Sequence, residues 1–106
     1  MNTNKNKIED ELLKRLIKAK AWSDTSQILN KDGYPKKIYT KWQEQVIALL
    51  RKLPDAKKNV KNFIRLQRYY NYSWTGDLGN YQTRSMLIES SLLESVSFLE
   101  NLLKNT

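Results

Sequence analysis

The chain has no cysteine and no histidine among its 106 residues, and only three glycines and two prolines. Without cysteine there is no disulfide framework and no thiolate nucleophile. Without histidine, a His-based catalytic triad and the usual zinc sites are out of reach. So few glycines and prolines suit long helices joined by few turns rather than a fold rich in tight turns. No apolar run approaches the roughly 20 residues a membrane-spanning helix requires. The first residues, Met1 to Lys7, are polar and lead into an amphipathic segment rather than an apolar signal core. The expectation is a cytoplasmic protein with no membrane association.

What is present is positive charge and amphipathic patterning. Lysine and arginine number 19 against 11 acidic residues, a net charge of +8, and 40% of residues are hydrophobic. That balance belongs to a soluble folded domain and biases it toward anionic partners. The charge is uneven: residues 1–68 carry 17 basic and 7 acidic side chains, residues 69–106 carry 2 and 4. The abundance of Lys and Asn, both with A/T-rich codons, points by composition alone to a low-GC bacterial or phage source.

Helical periodicity runs through most of the chain. A first helix is expected over 7–22, with Ile8, Leu12, Leu13, Leu16, Ile17 and Ala19 on one half of its wheel. Glu9, Asp10 and Glu11 would sit in its first turn, with Asn4 or Asn6 as cap. Residues 1–6 are expected to be disordered. Residues 23–34 read as a connection pinned to the core by Ile28 and Leu29. A second helix is expected from Pro35 to Leu53, where Ile38, Tyr39, Trp42, Val46, Leu49, Leu50 and Leu53 fill an arc of about 120°. A third is expected over 55–70, with Ala56, Val60, Phe63, Leu66 and Tyr70 on one face and Ile64 off it. Residues 71–80 read as a loop, with turn chemistry at Thr75-Gly76-Asp77. A fourth helix is expected over 81–104, striped by Tyr81, Ile88, Leu92, Val96, Leu99, Leu102 and Leu103. Its apolar residues spill onto both flanks of that stripe. The predicted fold is all-α: one domain over 1–106, a bundle of about four helices with a long C-terminal helix, in up-and-down order.

No catalytic constellation is legible. The acidic residues are scattered, and Glu9 and Asp10, as sequence neighbours, face different directions on a helix. Carboxylate-bridged di-metal bundles need Glu-x-x-His, and HEPN-type helical ribonucleases need Arg-x4-His; neither motif is available. There is no phosphate-binding glycine loop, and Gly76-Asp77-Leu78-Gly79 is too short to indicate one. The expectation is a non-enzymatic protein with no metal and no cofactor.

Two surfaces remain. Lys57, Lys58, Lys61, Arg65 and Arg68 gather on one side of the third helix. They form either a phosphate-contacting face, with salt-dependent and sequence-neutral affinity, or a solvated helix face. Lysine predominates over arginine, and no recognition-helix cluster stands at the helix start, which weighs against base readout. The aromatic cluster Tyr69, Tyr70, Tyr72 and Trp74 reads as a cover for the end of the core, as an interaction hot spot, or, beside Arg65 and Arg68, as a stacking surface for single-stranded nucleic acid. The fourth helix, apolar on more than one flank, is either central in the bundle or shared with a second copy. The favoured function is a protein-interaction or oligomerisation module, with Tyr72, Trp74, Met86, Leu93 and Phe98 at the interface. The alternative is a small nucleic-acid-binding protein using the cationic face over 57–68.

The order of features carries one resemblance. An N-terminal basic amphipathic helix is followed by Tyr39-x-x-Trp42 opening a second, Phe63 on a third, a glycine-containing loop, and a Leu-rich last helix with Leu92-Leu93-Glu94-Ser95-Val96-Ser97-Phe98-Leu99. This resembles the small helical modules that precede TIR-like or nucleotide-binding effector domains in prokaryotic defence proteins. The expectation here departs from that pattern: a helical module with no effector attached. The resemblance implies an interaction or oligomerisation role linked to phage defence or its regulation, and it carries over no catalytic residue.

Overall fold

The computed structural model describes residues 3–22, 27–31, 34–67 and 81–104, with side chains from Asn6 in the first segment and Ser85 in the last. Four α-helices make up nearly all of it: α1 Thr3–Lys20, α2 Lys37–Leu50, α3 Ala56–Leu66 and α4 Tyr81–Lys104. Among the described residues there is no strand, only an isolated antiparallel bridge between Leu29 and Pro35. The expected all-α single-domain bundle is what the chain forms.

The helices close a ring. α1 packs on α2, α2 on α3, α3 on α4, and α4 returns to α1. Each helix supplies one stripe to the common interior: Leu12, Leu16 and Ala19 from α1; Tyr39, Trp42, Val46 and Leu50 from α2; Phe63 from α3; Ile88, Leu92 and Leu99 from α4. These are the 3.6-residue periodicities that the sequence displays. Ile28 and Leu29 are buried as expected, and they fasten the α1–α2 connection to the core. That connection is stiffened by Lys36 N–H donating to the Ile28 carbonyl at 2.7 Å, and by Asn30 exchanging backbone and side-chain bonds with Tyr34.

Aromatic rings link α2, α3 and α4 to the segment that follows α1. Trp22, just past α1, meets Tyr39 and Trp42 edge-on, with centroids 6.0 and 5.8 Å away. Tyr39 and Trp42 are stacked at 5.8 Å. Trp42 then meets Phe63 at 6.0 Å, and Phe63 meets Phe98 of α4 at 6.2 Å. These offset and edge geometries are the ones that ring quadrupoles favour. The Trp42 indole N–H donates to the Arg15 carbonyl of α1 at 2.9 Å, so its one polar atom is satisfied inside the core.

Several expectations are corrected at the helix ends. α1 starts at Thr3 rather than Lys7, so residues 3–6 are helical, Asn4 and Asn6 are not its caps, and the acidic cluster falls beyond the first turn. α2 begins at Lys37 after an extended Lys36, leaving Pro35 in the bridge rather than in the first turn. It ends at Leu50, with Arg51, Lys52 and Leu53 in tightening turns. Asp55 then adopts a left-handed backbone (φ 59°, ψ 30°) that turns the chain into α3 without a side-chain cap bond. A short polar side chain tolerates that conformation better than a branched one. α3 stops at Leu66, short of the expected Tyr70.

Candidate interaction surfaces

The cationic face of α3 forms as its spacing predicts. Lys57, Lys58, Lys61 and Arg65 are all exposed. Arg68, Tyr69, Tyr70, Tyr72 and Trp74 lie outside the described residues. Of the expected interface residues on α4, Met86 and Leu93 are each 61% exposed. Phe98 is different: it is half-buried against the core and faces Phe63 of α3. It lies on the opposite flank of α4 from Leu93, so its ring is engaged within the bundle.

Two residues expected in the α1 core stripe point outward instead. Leu13 is 46% exposed and Ile17 is 59% exposed. Their helical phase explains where they point. On α1 they share an arc of about 60° with Lys20, on the side away from Arg15 and Trp22, which touch α2. On α4, Met86 and Leu93 share an arc of about 40° with Glu100. Lys20 and Glu100 form an ion pair at 2.8 Å across the α1–α4 junction. Leu13 and Ile17 thus lie on the Lys20 side of α1, and Met86 and Leu93 on the Glu100 side of α4.

A second surface lies between α2 and α3. Ala56, Val60 and Ile64, spaced four residues apart, line an open groove of about 420 Å³ together with Arg51, Lys57 and Lys61. Ile64 continues into a smaller hollow of about 240 Å³, lined also by Thr40, Gln43, Glu44, Ile47 and Gln67. This explains why Ile64 falls off the core arc: it sits on the α2 flank of α3 and floors the groove. Lys57 and Lys61 also border a second open concavity, of about 580 Å³, with Asp55, Asn62 and Arg65.

Beneath the hollow is a polar hub that hydropathy patterning gives no means of finding. Gln43 and Gln67 are 5% and 4% exposed, and Ser95 is fully buried. Gln67 donates to Ser95 Oγ at 2.8 Å and to the Phe63 carbonyl at 3.0 Å. Its oxygen accepts from Gln43 Nε2 at 2.6 Å and from the Tyr39 hydroxyl at 3.4 Å. Apart from Gln43 Oε1, these groups bond one another within the bundle, which makes the hub a fastener of α2, α3 and α4. Gln43 Oε1 and Arg15 Nε are the buried side-chain atoms left without a partner among the described residues. Among the described residues no three acidic side chains converge as a metal site would require, and no helix is long and apolar enough to cross a membrane.

The chain matches no known protein-family model, no curated protein and no solved structure, so its function has to be argued from these surfaces.

Proposed function

We propose that this chain is a non-enzymatic interaction module that self-associates along the α1–α4 seam. One observation carries the reading: Leu13, Ile17, Met86 and Leu93, all large and apolar, stand exposed on two helices that pack on each other. Single exposed apolar residues are ordinary; two on each of two adjoining helices give a second molecule more apolar surface to cover. Burying a side chain of this size contributes about 1.5–3 kcal/mol when it is fully desolvated. Methionine adapts to an irregular partner surface. The resemblance to helical modules of prokaryotic defence proteins supports the same kind of role, and a cytoplasmic location suits it.

Sedimentation equilibrium or light scattering over a concentration series tests the proposal. The expected result is a dimer or higher species that Leu93→Glu converts to monomer while far-UV circular dichroism stays unchanged. A strict monomer at high concentration overturns it.

A second reading, a nucleic-acid surface, rests on the four exposed cations Lys57, Lys58, Lys61 and Arg65 along one side of α3. It requires binding to DNA or RNA that weakens steeply as salt rises. No binding at low salt removes it.

A further inference from the structure

From the α2–α3 groove we infer a second docking site, distinct from the α1–α4 seam, whose occupant is an acidic amphipathic helix of a partner protein. Three features of the groove select that chemistry. The first is the floor. Ala56, Val60 and Ile64 repeat every four residues along α3, and Ile47 of α2 continues the apolar surface. Ile64 is 46% exposed, a large cost-free contact for an incoming apolar side chain.

The second is the rim. Arg51, Lys57 and Lys61 stand around the wider end, and none makes an ion pair among the described residues. Carboxylates of a bound partner would meet three cations there. At the narrow end the exposed Glu44 reverses the sign. The groove therefore sets a polarity: acidic residues of the partner lie over Arg51, Lys57 and Lys61, and neutral or basic ones lie near Glu44. Such complementarity governs encounter rate and orientation more than raw affinity.

The third is the shape. The two hollows meet at Ile64, and from Thr40 of α2 to Arg51 just past its end they span about 16 Å, or three helical turns. A helix with apolar residues at i, i+3, i+4 and i+7 fits such a cleft as an additional bundle member. A nucleic-acid backbone presents no apolar stripe for Val60, Ile64 and Ile47, which favours the peptide over the phosphate chain.

The test uses the full-length protein and a fluorescein-labelled 14-residue designed helix with Leu at those spacings and Glu clustered toward one end. A scrambled peptide of identical composition and a 20-nucleotide oligothymidylate serve as comparison probes. Fluorescence anisotropy should show saturable binding of the designed helix, at least tenfold tighter than the scramble. Ile64→Ser should weaken it roughly tenfold, the equivalent of one lost apolar anchor. Lys57→Glu with Lys61→Glu should weaken it by at least as much. Amide chemical-shift changes should cluster at 47, 60 and 64. The proposal is overturned by equal affinity for helix and scramble, or by an Ile64→Ser protein that binds as well as wild type. It is equally overturned if the oligonucleotide binds tighter than the helix and displaces it. Leu93→Glu should leave peptide affinity unchanged, which separates this site from the self-association seam.

Discussion

The side-chain amide of Gln43 donates to the carbonyl oxygen of Gln67 at 2.6 Å, with both residues almost wholly buried. Their orientations follow from the surrounding bonds. Gln67 Nε2 is committed to Ser95 and to the Phe63 carbonyl, so its oxygen must face Gln43 and Tyr39. Gln43 then has to present its nitrogen, since two carbonyl oxygens at that distance would repel. Three helices are thereby held in one rotational setting.

Removing the centre of this hub should be costly. Gln67→Leu keeps the volume but orphans the Gln43 amide and the Ser95 hydroxyl in a water-poor site. The expected loss is about 2–4 kcal/mol, since each buried unsatisfied group costs about 1–3 kcal/mol. Urea denaturation measures it directly. A change below half a kcal/mol would mean the hub contributes nothing net to stability.

The backbone at Asp55 offers an opposite, stabilising change. Its left-handed conformation is free of strain for glycine and costs a branched residue about 1–2 kcal/mol. Asp55→Gly should raise stability by about half a kcal/mol, and Asp55→Val should lower it by about 1–2 kcal/mol. Thermal midpoints of the three proteins should fall in the order Gly, Asp, Val. A valine variant as stable as wild type would contradict the assignment.

The ion pair between Lys20 and Glu100 should matter little to stability. Both side chains are about half exposed, and such pairs are worth roughly 0.2–1 kcal/mol before salt screening. Glu100→Gln is expected to shift the unfolding free energy by less than about half a kcal/mol, and by less again in molar salt.

The seam itself predicts a spatial pattern of sensitivity. Ile17→Glu and Met86→Glu should disrupt self-association as Leu93→Glu does, although they sit on different helices. Ile38→Glu, on α2 and 41% exposed, should leave it intact. Equal effects from all four substitutions in sedimentation would indicate general surface stickiness rather than a defined seam.

Much of the architecture could be read from the chain because it rests on local repetition. The stripe Tyr39, Trp42, Val46 and Leu50 is a one-helix pattern, and it is buried as its spacing demands. Ile38, Leu13 and Ile17 also fit their apolar arcs yet stand exposed, because a wheel shows which residues share a side but not how wide the neighbouring helices cover it. The hub is invisible to hydropathy for a related reason. Gln43 and Gln67 are each ordinary surface residues by type, and burying them is favourable only because three helices bring their partners together. Ser95, small and polar by type, is likewise drawn inside by the hydrogen bond it accepts from Gln67. Of the two candidate surfaces, the α3 cations and the pair Met86 and Leu93 were visible in sequence. The contributions of Ile17, Leu13 and the groove floor required knowing which helices are neighbours.

The ring contacts of the core have an optical consequence. Trp22 and Trp42 lie 5.8 Å apart, edge to face, and both are buried. Indoles held this closely couple their electronic transitions, and the coupling depends on a fixed mutual angle. The molecule thus carries a built-in spectroscopic gauge of side-chain order: its aromatic circular dichroism should vanish when packing loosens, even while the helical far-UV spectrum persists. Loss of tertiary order and loss of helix can then be followed separately in the same unlabelled sample.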